Sequence, residues 1–160
     1  MNKIEGDLLQ LAYDGEFDII VHGANCQNTM GSGIAGQIAK RFPQAVEADK
    51  KTVAGDRDKL GHYSFARVPG KDDHHFYILN AYTQFNYGGG SDLFEYEHFD
   101  RFLKGLSLCL TCTPGVTRIG FPYIGCGLAG GDENRIVEKI EEFSKILEKS
   151  AEVTLVRFSK

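Results

Sequence analysis

FDIIVHGANCQNTMGSGIAGQIAKRFP, residues 17–43, decides how this chain folds. Its first six residues, Phe17 to His22, are apolar enough in unbroken succession for a strand buried on both faces. A loop of small and polar residues follows, from Gly23 to Gly33. Ile34, Ile38 and Phe42 then fall on one face of a helix that Pro43 closes or bends. A buried strand that passes through a glycine-rich loop into a helix is a unit of an α/β sheet.

Outward from this unit the same alternation continues. A short strand at Lys3 to Glu5 precedes it, followed by Gly6-Asp7, and a second helical piece runs from Gln44 to about Ala54. Gly61 to Val68 and Phe76 to Tyr82 read as strands joined by the turn Pro69 to Asp73, either as a hairpin or as sheet neighbours. Phe99, Leu103, Leu106 and Leu110 recur at helical spacing, as do Ile136, Ile140, Phe143 and Leu147, so each set is one buried stripe of an amphipathic helix. Strands at Arg118 to Tyr123 and Val153 to Phe158 complete the pattern. The expectation is an α/β fold with helices on both faces of a mixed, largely parallel sheet, its ligand bound beyond the carboxyl ends of the strands.

Composition bounds the rest. At 160 residues, with 42% hydrophobic and 25% charged residues, the sequence reads as one ordered domain, 1–160. No apolar run approaches the ~20 residues of a membrane span, and the polar start lacks a secretory core, so a cytoplasmic location is expected. Four scattered cysteines (Cys26, Cys109, Cys112, Cys126) read as reduced thiols. Net charge is −4 with the two signs mixed, which argues against a nucleic-acid partner. An anionic ligand stays open, because backbone N–H groups and helix N-termini can receive it.

Gly31-Ser32-Gly33-Ile34-Ala35-Gly36 formally matches the dinucleotide fingerprint G-x-G-x-x-G. A dehydrogenase is nonetheless rejected: the loop Gly23 to Met30 separates the glycines from the strand, and no acidic residue ends a second strand ~20 residues on. What survives is the physics. Glycines let the backbone approach an anion, and the helix starting near Ile34 aims its free N–H groups at it. Ile124-Gly125-Cys126-Gly127-Leu128-Ala129-Gly130-Gly131 repeats this logic between a strand and a helix starting near Asp132. Two opposed loops suit a bridging pyrophosphate with a nucleoside on one side and a second sugar on the other.

Several segments resemble macrodomain motifs: Gly6-Asp7-Leu8-Leu9, Asn25 ahead of Met30-Gly31-Ser32-Gly33-Ile34-Ala35, and Pro122-Tyr123-Ile124-Gly125-Cys126-Gly127-Leu128. Within that superfamily, His22 to Cys26, Gln37 to Pro43 and Tyr82-Thr83-Gln84 resemble the ADP-ribose 1″-phosphate phosphatase branch. The resemblance implies a three-layer α/β/α fold and a small-molecule partner, ADP-ribose or a derivative, with no cofactor. It implies that Asp7 accepts from the adenine amino group beside the backbone of Leu8, and that Phe158 contacts adenine or is simply a core phenylalanine. The diphosphate would lie between Ser32-Gly33-Ile34, next to Gly31, and Gly125-Cys126-Gly127, next to Leu128. Asn25 would meet the distal ribose with His22 and Met30 close by; the alternatives are an asparagine satisfying its own loop and a satisfied buried histidine.

Three activities stay open: a phosphatase on ADP-ribose 1″-phosphate, a hydrolase of another ADP-ribose derivative, and a reader of ADP-ribosylated partners. The family's glycohydrolases carry a lysine after the strand that corresponds to Phe76 to Asn80, where Ala81 to Gln84 stand, and one group an aspartate where Ala129 stands. The expectation leans to the phosphatase, with His22 and Asn25 as catalytic residues and no tightly bound metal. Asp72-Asp73-His74-His75 reads as a solvated turn, Cys109 and Cys112 as helix residues, Asp132 as a helix cap, and Tyr87 to Gly90 as a connection that could close over a ligand.

Overall fold

The computed structural model describes residues 1–87, 94–126 and 130–159. Six strands form one sheet in the order β1-β6-β5-β2-β4-β3. They are β1 (Asn2–Gly6), β2 (Ile19–Asn25), β3 (Tyr63–Pro69), β4 (His75–Gln84), β5 (Thr117–Phe121) and β6 (Ala151–Phe158). All pairs are parallel except β3 with β4, which form an antiparallel hairpin in which Tyr63 faces Ala81 and Pro69 faces His75. The hairpin settles the alternative that the turn signals left open.

Among the described residues five α-helices pack on this sheet: α1 (Leu8–Tyr13), α2 (Gly33–Arg41), α3 (Pro43–Lys50), α4 (Tyr96–Thr111) and α5 (Glu133–Ile146). None of the described helices is long and apolar enough to cross a membrane. The stripes of α4 and α5 pack with Val21, Ile119, Phe121 and Leu155 on one face of the sheet. On the other face α1, α2 and α3 cover Ile20, Ile78 and Val156, with Phe42 edge-on to Phe76 at 5.3 Å between ring centres. Each large side chain buried in this way stabilises the fold by about 1.5–3 kcal/mol, before the entropy of ordering it is counted.

Several boundaries differ from the sequence expectation: β3 starts at Tyr63 rather than Gly61, β5 ends at Phe121, two residues short of Tyr123, and three further changes concern the cleft side of the fold. The residues Leu8–Tyr13 form a helix, α1, where only a turn aspartate was expected; Asp7 caps it by accepting from the amides of Leu9 and Gln10. At six residues it is too short to show a helical period, and the cap and its tertiary packing define it. The strand β2 runs on through Gly23 and Ala24 to Asn25, because β4 continues beside it to Gln84 and supplies ladder partners. The helix α3 ends at Lys50, four residues short of Ala54, where the Thr52 hydroxyl closes onto the carbonyl of Asp49 at 2.6 Å.

The sheet order places the functional edge. From β2 the chain crosses through α2 and α3 to the β3–β4 side; from β5 it crosses through α5, on the opposite face, to β6. The two connections part company between the neighbours β2 and β5, and the gap above their carboxyl ends is the crevice where open α/β sheets hold ligands. A register shift between Ala24 and Asn25 against β4 ends the regular ladder there and re-aims the last residues of β2.

Candidate functional site

Two glycine loops rim that crevice. The first enters α2 at Gly33, which holds φ at +57° while Ser32 before it is extended and places no side-chain oxygen on the helix. The opening amides of α2 therefore lack an intrahelical acceptor and a side-chain cap alike. A β-carbon built on Gly33 would meet nothing within 4 Å, so this corner faces open space. The second loop leaves β5 through Pro122, Tyr123 and Ile124 to Gly125, at φ +75°, where a β-carbon would collide with the Phe94 ring. The amide of Gly131 closes the loop on the Gly125 carbonyl at 2.7 Å, and Asp132 then caps α5 through the amides of Asn134 and Arg135. The expected cap role of Asp132 is what the structure shows.

Two adjoining cavities, of about 440 and 460 Å³, meet along a shared wall of Gly33, Ile34, Pro122 and Tyr123. The first reaches from that wall to Asn25, Met30, Gln84 and Tyr87. The second reaches the opposite way to Asp7, Leu8, Gln37, Arg157 and Phe158. The start of α2 lies where they join. This is one elongated, two-chambered cleft with the uncapped amides of α2 at its waist, a geometry able to receive an anion.

Most of the residues singled out in the sequence meet here. Asn25, Met30, Gly31, Ser32, Gly33, Ile34 and Gly125 line the first chamber, and Asp7, Leu8 and Phe158 line the second. Asp7 has two duties: Oδ1 caps α1, while Oδ2 lies 3.4 Å from the Arg41 guanidinium. Phe158 is 59% exposed, which removes the core alternative. Asn25 is 8% exposed; its amide donates to the Thr29 carbonyl at 2.7 Å and its Oδ1 accepts from the Gln27 amide at 2.9 Å. It thus satisfies its own loop and forms chamber wall at the same time.

His22 is the exception. It is 1% exposed and does not line either chamber. Its Nε2 pairs with Asn80 Oδ1 at 2.6 Å, its Nδ1 has no partner, and burial holds its pKa below the ordinary value. Alternation along β2 explains the miss, since the side chain of His22 goes to the face covered by α3, where Asn80 also donates to the Ala45 carbonyl. In this position His22 is not placed to transfer a proton within the cleft. Cys126 is half-buried behind the second loop, and burial raises its thiol to about 11, so it stays protonated. Gly127 and Leu128, and Gly88 to Gly90 of the distal connection, lie outside the described residues, whereas Tyr87 lines the first chamber.

Among the contributors not anticipated as site residues are Tyr123 and Arg157. Tyr123 belongs to both chambers, and Arg157 lays its guanidinium 4.0 Å from the Tyr123 ring centre while pairing with Glu133. Arg157 has no local signature, being an alternate, outward position of β6, whereas Tyr123 stands in the motif Pro122 to Leu128 and became a wall through the turn after β5. Among the described residues, the first chamber's lining has no carboxylate, imidazole, amine, guanidinium or thiol, and its only ionisable groups are the phenols of Tyr87 and Tyr123.

Comparison with known proteins bears on the family and the fold. The Macro domain family matches residues 21–140. An uncharacterized 17.5 kDa protein of Enterobacteria phage T4 is 38% identical over 146 residues, covering 91% of this chain and 90% of that protein. A protein of unknown function from Bacteroides thetaiotaomicron superposes with a TM-score of 0.78 at 24% identity, over 98% of this chain and 96% of that one. The Thermosipho africanus DarTG protein, solved in complex with ADP-ribose, superposes with a TM-score of 0.73 at 18% identity, over 97% of this chain and 42% of that longer one.

Proposed function

Since this chain belongs to the Macro domain family, we propose that its two-chambered cleft binds ADP-ribose, with the diphosphate at the waist and one nucleoside or sugar in each chamber. The observation that carries this reading is the shared wall Gly33, Ile34, Pro122 and Tyr123, set at the uncapped start of α2 between two cavities of similar size. A monophosphate ligand would leave one chamber empty; a diphosphate bridge fills both. Adenine fits the second chamber, where Asp7 offers an acceptor and Phe158 an exposed ring. The distal ribose fits the first, against Asn25 and Met30. The ADP-ribose complex of the Thermosipho protein, which shares this fold, supports the assignment.

Calorimetric titration with ADP-ribose, AMP and NAD tests it. ADP-ribose binds more tightly than AMP if both chambers are used; equal affinities would sink the two-chamber reading.

Hydrolysis of ADP-ribose 1″-phosphate is the second reading, and Asn25 in the distal wall favours it. With His22 buried elsewhere, turnover has no imidazole to draw on among the described lining residues. Its rate then comes from holding the terminal phosphate and a water in fixed geometry rather than from side-chain acid–base catalysis. Malachite-green detection of phosphate released from ADP-ribose 1″-phosphate decides between turnover and binding alone. No release above a non-binding Gly33→Val control leaves a reader of ADP-ribosylated partners.

A further inference from the structure

We propose that Lys59, buried behind the first chamber, is the positioning residue that sets the loop Cys26 to Gly31 and with it the hold on the distal ribose. The proposal rests on the ADP-ribose reading of the cleft. Lys59 closes a single 3-10 turn, Arg57–Lys59, and is only 8% exposed. Among the described residues no carboxylate lies within 4 Å of its ammonium. Lysine is rarely buried without a partner of opposite charge, because the ammonium gives up its hydration. Here its donors go to the loop instead. Nζ donates to the Cys26 carbonyl at 3.2 Å and to Asn28 Oδ1 at 2.6 Å, and it rests 4.6 Å from the ring centre of Tyr82.

These contacts act on the loop at its least regular point. Asn28 holds φ at +56°, a left-handed conformation that asparagine tolerates better than most side chains. Its side chain is fixed from two directions: Oδ1 accepts from Lys59, and Nδ2 donates to the Thr52 carbonyl at 2.9 Å. One residue on, the Thr29 carbonyl receives the amide of Asn25, and Thr29, Met30 and Gly31 go on to line the first chamber. Lys59 itself does not reach that chamber. It acts through Asn28 and Cys26, as a cation around which the loop is wound.

The charge is balanced at one remove. The Tyr82 hydroxyl donates to Asp49 Oδ1 at 2.7 Å, so one buried tyrosine contacts a buried carboxylate through its hydroxyl and the buried ammonium through its ring. This arrangement leaves the donors of Lys59 directed at the loop, where a direct ion pair with Asp49 would have taken them.

The test separates positioning from bulk stability by comparing two ligands. AMP occupies the chamber of Asp7 and Phe158, which the loop does not line; ADP-ribose needs both chambers. Lys59→Met is expected to weaken ADP-ribose roughly tenfold, the effect of losing one well-placed hydrogen bond, with AMP affinity unchanged. Asn28→Gly, which keeps the left-handed backbone accessible, is expected to show the same split, and the double variant little more than either single one. Hydrogen exchange at the amides of Gln27 to Gly31 speeds in both variants without ligand. Parallel loss of AMP and ADP-ribose affinity, unchanged ADP-ribose affinity, or additive effects in the double variant would overturn the proposal. If Lys59→Met does not fold, the split in Asn28→Gly decides. If the wild type binds no ADP-ribose, the cleft reading fails by itself, and Lys59 is judged on loop exchange alone: unchanged exchange rejects it.

Discussion

Asp7 shows how one carboxylate can serve two ends, and why the choice of substitution matters. Its Oδ1 caps α1 and its Oδ2 faces both Arg41 and the second chamber. Asp7→Ala removes the cap as well as the ligand acceptor, so it costs about 0.5–2 kcal/mol of stability besides any affinity. Asp7→Asn keeps a capping oxygen, so it melts close to the wild type while losing ADP-ribose affinity; unchanged affinity by calorimetry would return Asp7 to the helix alone. His22 gives a second residue-scale prediction. Burial lowers its pKa, so below about pH 6.5 the unfolded chain takes up a proton that the folded chain resists. The contribution of neutral His22 is complete above that value and is lost as pH falls beneath it. Thermal melts of the wild type and His22→Gln between about pH 5 and 7 are expected to show a shallower acid decline in the variant. Parallel declines would reject His22 as a source of acid sensitivity. Asp7 was legible as a site residue through the motif after the first strand. His22 misled because sequence order places it beside Asn25, whereas strand alternation sends the two side chains to different surroundings.

Helices and strands carry the next level of the argument. The start of α2 is the proposed anion site because Gly33 turns the chain through φ +57° and leaves the first amides uncapped. Gly33→Val would force a branched residue into that conformation, costing about 1–2 kcal/mol, and would put its methyls into the space reserved for ligand. The variant is expected to fold, by circular dichroism and melting, and to lose ADP-ribose binding; a folded variant with normal affinity would refute the waist assignment. Most elements could be read directly. The stripes Phe99-Leu103-Leu106-Leu110 and Ile136-Ile140-Phe143-Leu147 became α4 and α5 because an apolar period of 3.6 has one good solution against a sheet. The helix α1 escaped because one turn of apolar residues has no period, and the extension of β2 escaped because Gly23-Ala24-Asn25 owes its strand conformation to β4 alongside. Lys59 was invisible for a related reason: Asp56-Arg57-Asp58-Lys59 looks like solvated surface, and only the fold of Cys26 to Asn28 over it makes it interior.

For the whole molecule, the cleft draws its walls from the ends of β1, β2, β4, β5 and β6, so ligand should tie together parts of the chain far apart in sequence. ADP-ribose at a hundredfold over its dissociation constant is expected to add about 2.7 kcal/mol to unfolding, and AMP at an equal concentration less. Melting curves that do not move with ADP-ribose would contradict the proposed function. At this scale the sequence was most informative about architecture and least about chemistry: the paired glycine loops were plain, while Arg157 reached the cleft only through sheet order. The pairing of β1 with β6, in which Asn2 lies opposite Thr154, has a kinetic consequence. The second chamber takes Asp7 from just past one of these strands and Phe158 from the end of the other. A nascent chain emerging from the ribosome can form the β2–α2 unit and the β3–β4 hairpin early, yet it has no nucleoside chamber until β6 is released. High contact order makes that docking late and slow. If the cleft binds nucleotide as proposed, recognition arrives with the final step of folding, and truncation before Ala151 is expected to abolish ADP-ribose binding by calorimetry.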